Sequence, residues 1–390
     1  MDVQVQGGAA VSRTDGPWWT GVTFRLDLAL ANVGFYVSSI GVVVVVLAGD
    51  LGLPVADLAW VGSTFGYGLI AMALAGPIVL RLGSNHVLAL SAGALGVGSV
   101  LLAVSASAPP AYVGVVLQGM GAAGLVLVSS GLVHGRDAER KLTQANAAAS
   151  LAGMLAPLLL GLAALTGLGG RLPLLVMAAS MVVLAVVALL SARKQPRVIS
   201  APVTPDVLVA SLSRTEAGRR WLALVCAVAV EFCFVVWGVA RLTDAGLETG
   251  QAALIAAAFP IGMALGRVLG SWMIDRLPMV PVGSALTAAG TLLVVAFDAW
   301  WVIGAGQLLA GFGLATLYPI LLARLMRTPG LRPEFGASLG ALASGTAITV
   351  APAVLALLAT VVDLRLAFLL PLPLLGAMLA LRGRPRPPVS

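Results

Sequence analysis

Apolar runs of about 20 residues recur from one end of this chain to the other, each long enough to carry an α-helix across the hydrocarbon of a bilayer. They fall near 21–47, 57–80, 86–106, 110–133, 142–166, 172–192, 221–241, 251–274, 280–297, 300–323, 336–361 and 366–381. The runs are too long and too closely joined for transmembrane strands, which alternate apolar and polar residues over roughly ten positions. With 59% hydrophobic and only 10% charged residues, no block remains for a water-soluble domain. The sequence therefore predicts an all-α membrane protein of about twelve crossings, and an even count puts both termini on one side.

The formal charge of +7 does not indicate nucleic acid, because the basic residues mark one side of a membrane. Alternate connections carry Arg81, Arg136, Arg140, Lys141, Arg276, Arg324, Arg327 and Arg332, and the middle connection adds Arg193, Lys194, Arg197, Arg214, Arg219 and Arg220. Only Arg171, Arg241 and Arg365 fall opposite, so both termini are expected in the cytoplasm. Residues 1–20 lack a basic stretch followed by a short apolar core, and no removable signal peptide is expected. An excess of Arg over Lys with abundant Ala and Gly reads as a GC-rich bacterial genome, hence a bacterial inner membrane.

Residues 193–220 form the longest polar stretch, contain Pro196, Pro202 and Pro205, and read as a linker between a bundle at 21–192 and one at 221–381, with tails at 1–20 and 382–390. The bundles resemble each other. Asp50, Gly52, Leu53, Phe65 and Gly76 recur as Asp244, Gly246, Leu247, Phe259 and Gly270 at a constant offset of 194, and Pro157 falls on Pro352 after a one-residue slip. Parallel repeats of six helices are one plan for a carrier.

Ionisable groups deep in a bilayer cost a few kcal/mol each and need a reason to be there. Glu231 lies ten to twelve residues from Arg219 and Arg241, which puts it near the midplane. It is expected to handle a proton or a substrate, or else to pair structurally with a neighbouring helix. Arg267, eight residues before Asp275, needs an acceptor that Glu231, a carbonyl or an anionic substrate could supply. Arg25, Asn32, Tyr36 and Ser39 form one polar stripe on the first helix, suited to a cavity wall, with Asp27 on the opposite side as a second candidate for proton coupling. Gln118 with Ser129, and Gln307 with Tyr318, share faces of their helices and are candidates for substrate contact or for bonds between helices. Trp60, Trp237, Trp300 and Trp301 read as interface anchors. The isolated Cys226, Cys233, His86 and His134 suggest neither a disulfide framework nor a metal site, and no cofactor is expected.

Short motifs add a resemblance. Gly76, Arg81 and Gly83 stand where the major facilitator superfamily has its Gly-x-Leu-Ala-Asp-Arg-x-Gly turn, with Leu80 replacing the acid, while the second copy keeps Asp275 and Arg276. Gln118, Gly119, Gly121, Ala122 and Ala123 are similar to the family's run in helix 4, though Val115 replaces its arginine. Gly153 to Pro157 is a weakened form of the helix-packing signature of proton-driven exporters. The resemblance covers the whole chain. It implies two pseudo-symmetric six-helix bundles, a gate locked asymmetrically, and a monomeric secondary transporter whose partners are a small molecule, protons and lipid. Proton-coupled efflux of a drug-like or metabolite molecule is the first expectation, and import of a sugar or small organic anion the second. A transporter-like sensor or lipid scramblase is the alternative of another class. No phosphate-binding loop and no nucleophile with a base within a span supports ATP hydrolysis or another enzymatic role.

Overall fold

The computed structural model describes residues 21–132, 138–192, 213–273, 276–331 and 333–381, and those residues contain helices and turns but no strand. The first six crossings are α1 (Val22–Leu51), α2 (Val55–Val79), α3 (Ser84–Val104), α4 (Ala108–Leu132), α5 (Ala138–Leu165) and α6 (Leu172–Ala192). The second six are α7 (Arg214–Asp244), α8 (Thr249–Ala256) with α9 (Ala258–Met273), α10 (Met279–Ala296), α11 (Trp300–Leu314) with α12 (Leu317–Met326), α13 (Pro333–Ala359), and α14 (Leu364–Ala367) with α15 (Pro371–Leu381). Among the described residues, eleven helical segments are long and apolar enough to cross a membrane, and α2 contributes a shorter apolar stretch, Trp60–Gly76. The chain is a multi-pass membrane protein.

Three crossings are interrupted, and proline explains each interruption. A proline supplies no N–H to the carbonyl four residues before it, and its ring crowds that carbonyl. Pro260, Pro319 and Pro371 lie four residues after Ala256, Ala315 and Ala367, and those are the places where α8, α11 and α14 stop or have just stopped. Pro157 and Pro352 stay inside continuous helices. Helix α7 begins seven residues before the expected start of its span, inside what the polar composition marks as linker. Ser213 caps it by accepting a hydrogen bond from the Glu216 N–H at 3.4 Å, the Ser-x-x-Glu pattern of a helix start.

The internal duplication is visible in turn geometry. Gly52 and Gly246 both take left-handed φ, +63° and +96°, where a side chain would be strained. The residues after them close matching turns, with the Leu53 N–H donating to Ala48 and the Leu247 N–H to Leu242. Arg171 and Arg365 occupy equivalent positions as well. Arg171 donates to the carbonyls of Leu102 and Ser105 at the end of α3 and pairs with Asp50 at 2.8 Å. Arg365 donates to the Val295 and Ala296 carbonyls at the end of α10 and pairs with Asp298 at 2.8 Å. Arg241, completely buried, donates to Val294 and Phe297 and pairs with Asp298 at 2.7 Å. The three basic residues that fall on the sparsely charged side are thus consumed by carboxylates and by the carbonyl ends of helices, where a cation is favoured.

Contacts between the first six crossings and the second six run from mid-depth to the side opposite the start of α1. Helix α1 meets α7 where a Cβ on Gly41 would stand 2.2 Å from the Val235 carbonyl oxygen, so the backbones touch there. Helix α2 meets α13 in the same way, a Cβ on Gly66 standing 2.2 Å from the Thr349 hydroxyl. Gly161 of α5 packs on Gly250 and Ala253 of α8.

Two outcomes follow from the arginine clamps. Arg241→Met keeps the apolar stem but strips a donor from carbonyls and from Asp298, and should lower stability by about 2 kcal/mol, read as a fall in the thermal melting temperature in detergent. The hydrogen bond from Arg241 holds the Asp298 carboxyl below the ordinary carboxylate range, aided by the charge of Arg365. A group with a lowered folded pKa stabilises above its unfolded value, near 4, and that contribution disappears as pH falls through the folded value. Asp298→Asn should therefore lower the melting temperature at pH 7 and flatten its fall on the acid side.

Candidate functional site

Between the two sets of crossings lies a cavity of about 990 Å³. Its deep end is at Val42 and Val239, next to the contact between α1 and α7. It extends to Thr143, near the start of α5, and to Met326, the last residue of α12. It is closed toward the side where α1 ends and reaches toward the side where α1 begins. The floor is apolar, with the rings of Phe234 and Phe259 stacked at 5.2 Å between centroids.

The charged and titratable groups on its wall are Glu231 of α7, Arg267 of α9 and Tyr318 of α12. No hydrogen bond or ion pair reaches the Glu231 carboxylate among the described residues. The charge of Arg267 acts on Glu231 through space, and the charge of Glu231 in turn acts on Tyr318. Arg267 is exposed to the cavity and donates across it to the Ser150 hydroxyl of α5 at 2.8 Å. This hydrogen bond joins the two sets of helices. Tyr318 faces Ser344 of α13.

Backbone chemistry contributes too. Pro157, Pro260 and Pro319 all line the cavity, as do Gly153 and Ala256, whose carbonyls those first two prolines leave without their helical donor. Irregular backbone at membrane depth is tolerated where it borders a cavity, and such carbonyls are ready acceptors for a ligand. In the sequence the spans at 251–274 and 300–323 read as unbroken, and the convergence of Pro157, Pro260 and Pro319 on one wall appears only in the fold. Ser150, Ser38 and Asn146 also reach the wall and carry no sequence signal of their own.

Several candidates from the sequence lie elsewhere. The stripe of Arg25, Asn32, Tyr36 and Ser39 does not face the cavity; it is buried within the first six crossings. Arg25 donates to Asn85 at 2.8 Å, Asn32 donates to Leu28 and accepts from Ser180, and Tyr36 faces Ser99. The cavity instead meets the adjacent stripe of α1 that contains Leu30, Gly34, Val37 and Ser38. Asp27 is outside the lining and accepts from Gln144 at 2.9 Å. Gln118 donates to Ser99 at 3.1 Å and Gln307 to the Gly238 carbonyl at 2.9 Å, so both hold neighbouring helices together. Trp237 is not an interface anchor, since it is buried with its indole N–H on the Pro352 carbonyl at 3.2 Å.

Helix-packing and gate residues are placed as follows. Gly153 packs on Ser38 and Gly34 of α1. Gly76 faces Leu127, and Arg81 and Gly83 are exposed at the turn before α3. Arg276 is exposed, and Asp275 lies outside the described residues. No cluster of metal-ligating side chains occurs among the described residues.

Helical crossings that enclose a cavity walled by a carboxylate, a guanidinium and an apolar floor are the arrangement of a membrane carrier. The sequence pattern of the Major Facilitator Superfamily matches residues 26–240, and the chain belongs to that family. No curated protein matches it significantly in sequence. Its fold is similar to that of the nucleoside transporter NupG, at 13% identity and TM-score 0.70, covering 94% of this chain and 100% of that one. It is similar too to that of a peptide transporter, POT, solved in complex with sulfate, at 16% identity and TM-score 0.74, covering 92% of this chain and 93% of that one. The chain is a transporter, not an enzyme.

The positions of the two glutamines make a separable prediction. Gln307→Leu removes one buried hydrogen bond within the second six crossings and should cost about 1 kcal/mol, seen as a lower melting temperature. Transport per folded molecule should stay as in the parent protein, because Gln307 does not border the cavity.

Proposed function

We propose that the protein is a proton-coupled secondary transporter that moves a small organic solute by alternating access, with Glu231 as the coupling carboxylate. The observation that carries this reading is that Glu231 stands on the wall of a cavity between two six-helix sets with no hydrogen-bond partner among the described residues. A structural carboxylate would be paired, because an unpaired one in a low-dielectric site is costly. A carboxylate that must gain and lose a proton during a transport cycle has to stay accessible. Asp27, held by Gln144 away from the cavity, is not needed for this scheme.

The basic bias of residues 81, 140, 141, 276, 324 and 327 supports a cytoplasmic position for the side where α1 begins, with the cavity then open to the cytoplasm, and the Arg-, Ala- and Gly-rich composition supports a bacterial inner membrane. A single chain provides both halves of the cavity, and a monomer suffices. Export of a drug-like or metabolite molecule fits the apolar floor and the Gly153 to Pro157 segment. A second reading, uptake of an organic anion together with a proton, is favoured by one observation, the exposed guanidinium of Arg267 beside Glu231.

In proteoliposomes holding a pH-sensitive dye, addition of a transported solute should move protons through the parent protein. Glu231→Gln should reduce that movement at least about tenfold, the loss of an essential proton-transfer group. Undiminished proton movement in the variant would show that coupling resides elsewhere.

A further inference from the structure

We infer that the cavity opens sideways into the hydrocarbon between α5 and α9, and that it admits an amphipathic organic acid whose anionic head pairs with Arg267. The inference deepens the transporter reading above, since it takes the same cavity to be the transport site.

The opening is defined by residues that belong to the cavity wall and to the outer surface together. Leu151 of α5 lines the cavity and is 55% exposed. It heads a stripe of exposed leucines, Leu155, Leu159 and Leu162, at the spacing of one helix face. Val268 of α9 lines the cavity, is 63% exposed, and belongs to the exposed apolar face that includes Leu265 and Leu269. On a membrane-spanning helix such faces meet lipid tails. The two lipid-facing stripes therefore reach the cavity at one level, and the hydrocarbon is continuous with its interior there.

The two seams between the sets of crossings differ. Between α2 and α13 the backbones touch at mid-depth, at Gly66 with Gly345 and Thr349, and Gly345 is also packed by Ile70. Between α5 and its partner the tight contact, Gly161 on Gly250, lies about 17 Å further along α5 than Ser150, at 1.5 Å per residue. At the level of Leu151 and Val268 the seam is bridged by the hydrogen bond from Arg267 to Ser150.

The chemistry of the opening selects its occupant. Arg267 precedes Val268 in sequence and stands at the mouth, exposed, about 9 Å from the end of α9 at Met273. A molecule lying in that leaflet with its head at the level of the upper acyl chains meets a guanidinium first, then the apolar floor of Phe234 and Phe259. A carboxylate head takes bidentate hydrogen bonds from guanidinium and replaces the weaker neutral bond to Ser150. An amphipathic cation is repelled by the same group.

Photolabelling of the full-length protein in phosphatidylcholine nanodiscs tests this directly, with dodecanoate bearing a diazirine at its terminal carbon as the probe. Mapped adducts should lie on α5 and α9 near Leu151 and Val268 and on the cavity floor. Excess dodecanoate should suppress labelling, and dodecyltrimethylammonium should not. Arg267→Ala should weaken labelling about tenfold, while Arg267→Lys keeps most of it and controls for folding. Leu151→Trp combined with Val268→Trp should slow labelling at unchanged melting temperature. Equal suppression by the cation, or full labelling of Arg267→Ala, overturns the anionic site. An unchanged labelling rate in the double tryptophan variant overturns the lateral route. Labelling needs no gradient, so its failure leaves the role of Glu231 standing, and a failed coupling test leaves labelling to be judged alone.

Discussion

In hydrocarbon every backbone N–H and C=O must find its partner inside the chain, and most of this architecture is a consequence of that demand. It makes each crossing a helix and confines irregular backbone to places where something other than lipid is at hand. The interruptions of α8 and α11 sit four residues or so before Pro260 and Pro319, and both prolines border the cavity, as does Pro157 within α5. Prolines that would be costly against lipid become a supply of carbonyl acceptors against the cavity. The residues that disturb the helices and the residues that build the site are thus partly the same.

The helix ends pose the same demand in another form, because the last four carbonyls of a helix have no donor of their own. Arg171 answers it at α3 and Arg365 at α10, at equivalent positions of the internal repeat, and Arg241 adds a second donor at α10. Their carboxylate partners, Asp50 and Asp298, are exposed, so the cation is held without stranding an anion in apolar surroundings. This also explains why the charge bias tolerates these three residues on the sparsely charged side.

The sequence specified the crossings closely, because a bilayer fixes both length and composition. It also pointed to Glu231, Arg267 and Tyr318, since a charged or phenolic group in an apolar run is rare enough to stand out. It could not rank the weaker polar groups. Helical periodicity places Arg25, Asn32 and Tyr36 on one stripe, but whether that stripe meets a cavity or another helix depends on rotation of α1 about its own axis, which is set by contacts with α5, α7 and α2. Gln118 and Gln307 illustrate the same limit, as each finds a partner on an adjacent helix. The basic first turns of α7 hide its start from hydropathy, and the Ser213 to Glu216 cap is the local signal of that start.

The distribution of charge pairs bears on how such a structure can move. The ion pairs Arg171 with Asp50, Arg241 with Asp244 and Asp298, and Arg365 with Asp298 each join residues of one six-helix set. What joins the sets is backbone contact at small residues, such as Gly41 on Val235 and Gly66 on Thr349, together with the neutral acceptor Ser150 for Arg267. Separating an ion pair in a low-dielectric setting costs several kcal/mol, whereas parting van der Waals surfaces that lipid or water then covers costs far less. Two conformations interconvert readily only when they differ by a few kcal/mol. Keeping the strong electrostatic bonds inside each set and the weak contacts between them leaves each set rigid and the relation between them adjustable, which is the mechanical condition for a cavity that opens to one side and then to the other.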